Sequence, residues 1–227
     1  MTMKLYKLLL IYRLHIGFVL LALAGVLAFT KDWEWFWTCI ILAVIAIGSH
    51  LFFGPMRLVQ EAVQNNDMAL AEKYLNTVYF PKLLFKPVRQ GYYMLKSNIA
   101  MNNKDFSSAE AYMKESLKSK SDLVGAESEG MSYLQLGIIA MQNNKRAEAR
   151  KNLRLALEKG LQDKESKAAA LLQLASLDIQ SRRINQARNY FNKAKKLNPQ
   201  TPEIKQQIKE MDKYIHRAGS QMGGMRR

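Results

Sequence analysis

The chain has 227 residues, 48% of them hydrophobic, and 34 basic side chains against 19 acidic ones, for a formal net charge of +15. Its one cysteine, Cys39, excludes an intrachain disulfide and a cysteine-built metal cage. His15, His50 and His216 lie far apart, and there is no nucleophile–base pair, phosphate-binding glycine loop or helical zinc motif, so the sequence assigns no catalytic residue, no metal and no cofactor.

The N-terminal region, residues 1–53, reads as a membrane hairpin. Lys4, Lys7 and Arg13 open the chain with no acid among them, and residues 11–29 are then almost wholly apolar. At about 1.5 Å per residue such a run nearly crosses a hydrocarbon core of about 30 Å. A second apolar run, residues 36–53, follows after a short loop holding Lys31, Asp32 and Glu34. Trp33, Trp35 and Trp37 cluster at the loop end and Tyr6 and Tyr12 at the other, as interfacial aromatics do. A cleaved signal peptide shares the basic start but not the second span. A soluble hairpin would carry polar stripes, and these segments are apolar all round. Basic residues flank the N-terminal end and Arg57 follows the second span, which puts both termini in the cytoplasm. In such a hairpin His15 and His50 fall at similar depth; two readings are open, a metal or haem pair and a pair hydrogen-bonded at the interface.

Gly54 and Pro55 break the helix at the membrane surface, and a first repeat helix is expected over residues 53–64. Residues 79–87 then alternate aromatic and aliphatic side chains with Lys82 and Lys86, ahead of Arg89. They suit either a segment dipping into lipid headgroups or a loop packing into the next repeat.

From here a spacing recurs. Tyr133, Leu136, Gly137 and Ala140 lie on one helical face, Asn143 and Asn144 make a turn, and Ala149, Leu153 and Ala156 continue at i, i+4, i+7. Gly137 and Ala149 are expected at the helix crossing. The second cluster returns as Ala187, Phe191 and Ala194 before Pro199, with Leu174 and Ala175 at the Leu-Gly positions. It returns again as Ala109, Met113 and Ser116 after Asn102 and Asn103, and as Ala71, Leu75 and Val78 after Asn65 and Asn66. This pattern resembles the tetratricopeptide repeat. With the two apolar runs as transmembrane helices, the resemblance implies an all-α chain that continues over residues 54–217 as an α-solenoid of three to four helix-turn-helix repeats (about 52–85, 90–123, 130–163 and 168–201). A capping helix at 202–217 carries an apolar stripe of Ile204, Ile208, Met211 and Ile215. A flexible basic tail is expected over 218–227.

In that family first helices line a concave groove. Carried over by position, the groove residues are Met94, Asn98 and Met101, then Leu134, Ile138 and Met141, then Leu172, Ser176 and Ile179. The set is apolar and methionine-rich, suited to an amphipathic helix or an apolar extended segment. Only Asn98 fits the family's carboxylate-clamp pattern. Residues 136–227 hold 20 basic against 8 acidic side chains. The excess falls on the expected second helices, at Lys145, Arg146, Arg150, Lys151 and Arg154, then Arg182, Arg183, Arg188, Lys193, Lys195 and Lys196, a surface for anionic lipid or an acidic partner. Cations without interleaved stacking aromatics do not suggest nucleic acid. The sequence thus describes a non-enzymatic, membrane-anchored adaptor on the cytoplasmic side of a bacterial-type membrane. The alternative is a membrane subunit whose hairpin binds another membrane protein, lipid or a metal or haem group, with the repeats as docking handle.

Overall fold

The computed structural model describes the backbone of residues 2–30, 33–53, 55–120 and 126–224, with side chains at 12–30, 33–50, 53, 55–120, 128–215 and 217. The Lys31–Asp32 turn, Gly54, the side chains of Lys4, Lys7, Tyr6 and His216, and those of the 218–227 tail lie outside it. The described residues form eleven α-helices and no strand: α1 (Thr2–Thr30), α2 (Trp33–Phe53), α3 (Met56–Gln64), α4 (Met68–Leu75), α5 (Lys86–Asn102), α6 (Phe106–Lys118), α7 (Ala126–Gln142), α8 (Arg146–Lys159), α9 (Lys164–Gln180), α10 (Ile184–Lys196) and α11 (Pro202–Gly224). The chain divides into two compact units, residues 1–99 and 100–227.

In the first unit, α1 and α2 pack along a seam of small residues. Gly17, Ala24, Cys39 and Ala43 are buried there, and a Cβ on Gly17 would lie 2.4 Å from Ile47 Cγ1. Small residues let two backbones approach closely enough for dispersion alone to hold them, the packing mode available to helices in lipid. α3 starts at Met56, three residues later than expected. Pro55 occupies its N-cap, where its carbonyl accepts from Leu58 and Val59 and its missing N–H costs nothing. Val59, Ala62, Ala71, Leu75, Leu84, Tyr92 and Ile99 form this unit's core.

Four helix pairs follow one construction. At the end of the first helix of each pair a residue takes left-handed geometry: Asn66, Lys104, Asn144 and Arg182, all with φ of 57–60°. The next N–H (Asp67, Asp105, Lys145, Arg183) donates back to the carbonyl of Ala62, Ala100, Ala140 or Asp178 at 2.8–2.9 Å. This double-bonded ending satisfies the last helical carbonyls and turns the chain within three residues. Four residues on come Ala71, Ala109, Ala149 and Ala187, each fully buried. Leu75, Met113, Leu153 and Phe191 follow at i+4, all at 2% exposure or less, and the helices of the α3–α4, α7–α8 and α9–α10 pairs pack together through this small-then-large alternation.

The left-handed residue is not asparagine in two of the pairs. Asn102 and Asn103, where the second turn is expected, precede Lys104, which itself takes the strained geometry, and the fourth turn uses Arg182, with no asparagine immediately before it. A Cβ costs energy there, so Lys104→Gly should raise stability by about 0.5–1 kcal/mol, net of the freedom glycine adds to the unfolded chain. Thermal melts of the full-length protein in detergent check this, and a lower melting temperature would count against the turn assignment.

In the second unit, Gly137 makes a close helix contact, where a Cβ would stand 2.7 Å from Leu153 Cγ, so its nearest neighbour is Leu153 and not the expected Ala149. A tighter one lies seven residues earlier. A Cβ on Gly130 would sit 1.8 Å from the carbonyl oxygen of Gly160, which ends α8 at φ +96°. The last helix lies against α9 and α10, burying Ile215 and half-burying Ile204, Ile208 and Met211 as the expected stripe. Its backbone continues to Gly224, past both the expected end near Arg217 and the expected start of a flexible tail. Nothing between Arg217 and Gly224 breaks it, since Gly219 and Gly223 only lower helix propensity.

Candidate partner interface

The expected groove residues separate into two groups. Leu134 and Leu172 are buried, at 5% and 0% exposure, in the cores between helix pairs. They are packing residues with no surface to present, which corrects their assignment to the groove. Ile138, Met141 and Ile179 are half-buried with one side against those cores. Met101 and Ser176 are half-buried, as are Met94 and Asn98 in the first unit. The remaining first-helix side chains on α5, α7 and α9 are thus mainly thioether and aliphatic, and partly open.

The basic residues also divide. Lys145, Arg150, Arg183 and Lys195 are held in ion pairs within the chain, and so are structural as well as surface charges. Among the described residues Arg146, Lys151, Arg154, Arg182, Arg188, Lys193 and Lys196 are exposed without an acidic partner. Lys195 also approaches the Phe191 ring, with Nζ 5.8 Å from its centroid.

These pairs arise from a position next to the buried alanine of each second helix. Glu110 follows Ala109 and Arg150 follows Ala149, so both project alike toward the next repeat. Glu110, itself buried, accepts from Lys114 Nζ at 2.6 Å, Lys145 Nζ at 2.8 Å and Asn143 Nδ2 at 3.0 Å. Arg150 donates to Asp178, which is fully buried on α9, and Arg183 Nε stands 3.2 Å from the same oxygen. The second helices that begin at Lys145 and Arg183 lack the side-chain cap that Asp67 and Asp105 give theirs. A cation at a helix N-terminus is itself unfavourable, and pairing with the preceding repeat or with Asp178 offsets that. A third buried acid, Glu129, joins Lys120 at 2.5 Å and Lys159 at 3.4 Å. The repeat pattern marks none of these acids. Asp178 carried a signal, since it occupies the position held by Ala62, Ala100 and Ala140 in the other pairs.

Burial alone would raise the Glu110 pKa, but hydrogen bonds from Lys114, Lys145 and Asn143 outweigh it and hold the carboxyl at about 2, below its ordinary 4.5. A depressed carboxylate contributes stability that is complete above the unfolded pKa and is lost as pH falls through the folded one. The melting temperature should therefore fall between pH 4.5 and 2, and Glu110→Gln should remove part of that dependence. Identical pH profiles for the two proteins would contradict the assignment.

At the hairpin, His50 is buried at 8% exposure while His15 is exposed, edge-on to Tyr12 with ring centroids 5.7 Å apart. Among the described residues no three potential metal-ligating side chains converge. Of residues 79–87, Leu84 is buried in the first unit's core, while Tyr79, Phe80, Leu83 and Phe85 are exposed by 43–69%. The segment therefore anchors through one residue and leaves four large apolar ones open.

Residues 91–123 and 168–201, the second and fourth helix pairs, match the family model of the tetratricopeptide repeat. No curated protein is similar to the chain in sequence. Among solved structures, the crystal structure of the APC/C hetero-tetramer Cut9–Hcn1 includes a similar chain, with a TM-score of 0.56 and 17% identity, over 85% of this chain and 36% of that one. The present chain spans little more than a third of that protein's length, and the likeness is one of fold. Turn geometry, buried alanine spacing and both comparisons agree: the chain carries tetratricopeptide repeats in an all-helical, solenoid-type fold, a scaffold for protein–protein interaction.

Proposed function

We propose that the chain is a membrane-anchored adaptor, fixed by α1 and α2 in a bacterial-type cytoplasmic membrane with both termini and the repeats in the cytoplasm. The observation that carries the anchoring is uncovered apolar surface. Only 11% of the Tyr12–Thr30 span and 17% of the Trp33–His50 span are buried within the protein. Phe18, Val19, Val26, Phe29, Ile41, Leu42, Val44 and Ile45 are each more than half exposed. Water does not tolerate so large an apolar patch on a folded chain, and lipid covers it without cost.

The partner site of this reading is the open face of the first helices, Met101, Ile138, Met141, Ser176 and Ile179, with Met94 and Asn98 at equivalent repeat positions. Flexible methionines favour a helical or extended apolar segment of another protein. The seven cations without acidic partners suit an anionic lipid surface, at about 1 kcal/mol for each one that reaches it. The experiment is alkaline extraction of membranes bearing the full chain, with protease treatment of sealed vesicles. The reading predicts that the chain stays in the membrane pellet and is digested beyond residue 56 only when the cytoplasmic face is outward. Release by alkali, or digestion from the opposite face, would overturn it.

A further inference from the structure

The first unit contains a cavity of about 480 Å³ where the hairpin meets the segment after α4. Leu14, Phe18, Ile47 and His50 supply one wall, and Val78, Tyr79, Phe80 and Leu83 the other. The volume lies within the range of about 300–1,000 Å³ typical of small-ligand sites. Its lining is apolar except for His50 and the Tyr79 hydroxyl. His50 is more than nine-tenths buried, and its Nδ1 has no hydrogen-bond partner among the described residues. A buried ring nitrogen without a partner is costly, so a ligand that supplies one gains both the bond and the relief.

Three observations identify the chemistry of the occupant. The cavity opens at the end of both apolar spans, the depth at which a bilayer changes from acyl chains to glycerol esters. Residues 78–91 contain Lys82, Lys86 and Arg89 and no acid, a local positive charge beside the opening. Arg89 Nη1 donates to the Lys82 carbonyl at 2.8 Å and so fixes the single 3₁₀ turn (Pro81–Leu83) that carries the second wall. We infer that this cavity is a site for one anionic phospholipid: an acyl chain lies against Phe18 and Ile47, an ester carbonyl accepts from His50 Nδ1, and the phosphate stands near Lys82. The inference rests on the membrane-anchored reading. It adds to that reading a bound lipid that ties the first repeat to the bilayer at a defined point.

The test uses the full chain in phosphatidylglycerol–phosphatidylcholine vesicles doped with a phosphatidylglycerol analogue carrying a photoreactive acyl chain, followed by peptide mapping. Labelling of residues 78–83 is expected, with a drop of about fivefold in His50→Phe, the equivalent of one neutral hydrogen bond. A similar drop is expected in Leu83→Glu, which places an acid at an exposed position beside the phosphate. Labelling at the lipid-facing Val44 and Ile45 should be unchanged in both and reports that the hairpin is still inserted. A chain that resists alkaline extraction but is labelled only at Val44 and Ile45, or equally labelled at 78–83 in all three proteins, overturns the lipid site and leaves the anchor standing. A chain released by alkali overturns both.

Discussion

Gly130→Ala is expected to open the third repeat, costing about 3 kcal/mol, at the upper end of what overpacking does in a well-filled interior. The added methyl would stand 1.8 Å from the Gly160 carbonyl oxygen and 3.2 Å from that of Ala156. Both are backbone atoms at the end of α8, so no rotamer change relieves the clash and the two helices must separate. Stability in a repeat array is a sum of repeat and nearest-neighbour terms, so the loss should stay local. Hydrogen exchange followed by peptide mapping is the appropriate readout: protection should fall across α7 and α8 and persist in α1 and α2. Unchanged α7–α8 protection would mean that the approach of these helices is looser than described.

The second large effect is at Asp178. Replacing it with alanine leaves Arg150, whose side chain is only 14% exposed, without its counter-charge. Breaking a buried pair from one side costs about 3–5 kcal/mol, whereas replacing both partners with apolar groups of similar volume is often nearly neutral. Asp178→Ala should therefore strongly destabilise the α8–α9 boundary, and Asp178→Leu with Arg150→Met should recover most of the loss. Arg183 is 44% exposed and regains water in either background. If the double variant is as unstable as Asp178→Ala, the pair contributes more than charge compensation.

Much of the architecture can be read from the chain because its determinants are local. Two apolar runs of spanning length, and an alanine followed at i+4 by a large apolar residue, each lie within one or two helical turns. The departures come from places where local preference is overruled. Lys104 and Arg182 take a backbone geometry that asparagine or glycine would take more readily, because the hydrogen bonds of the turn and the packing on both sides fix it. Gly130 gives no signal until Gly160 is placed against it. Leu134 and Leu172 read as groove residues by position, yet the neighbouring helix pair closes over them. The hairpin cavity unites residues 14–18, 47–50 and 78–83, and no periodicity connects segments so distant in sequence.

Affinity capture decides whether the first-helix face recognises a partner protein. The full chain and a Met101→Arg/Ser176→Arg variant, altered at half-buried positions outside the core clusters, are recovered from gently solubilised membranes at equal helical content. A soluble or peripheral protein should be captured by the unaltered chain and lost with the variant. A captured set made of integral membrane proteins and retained by the variant would contradict it and make the hairpin the working part.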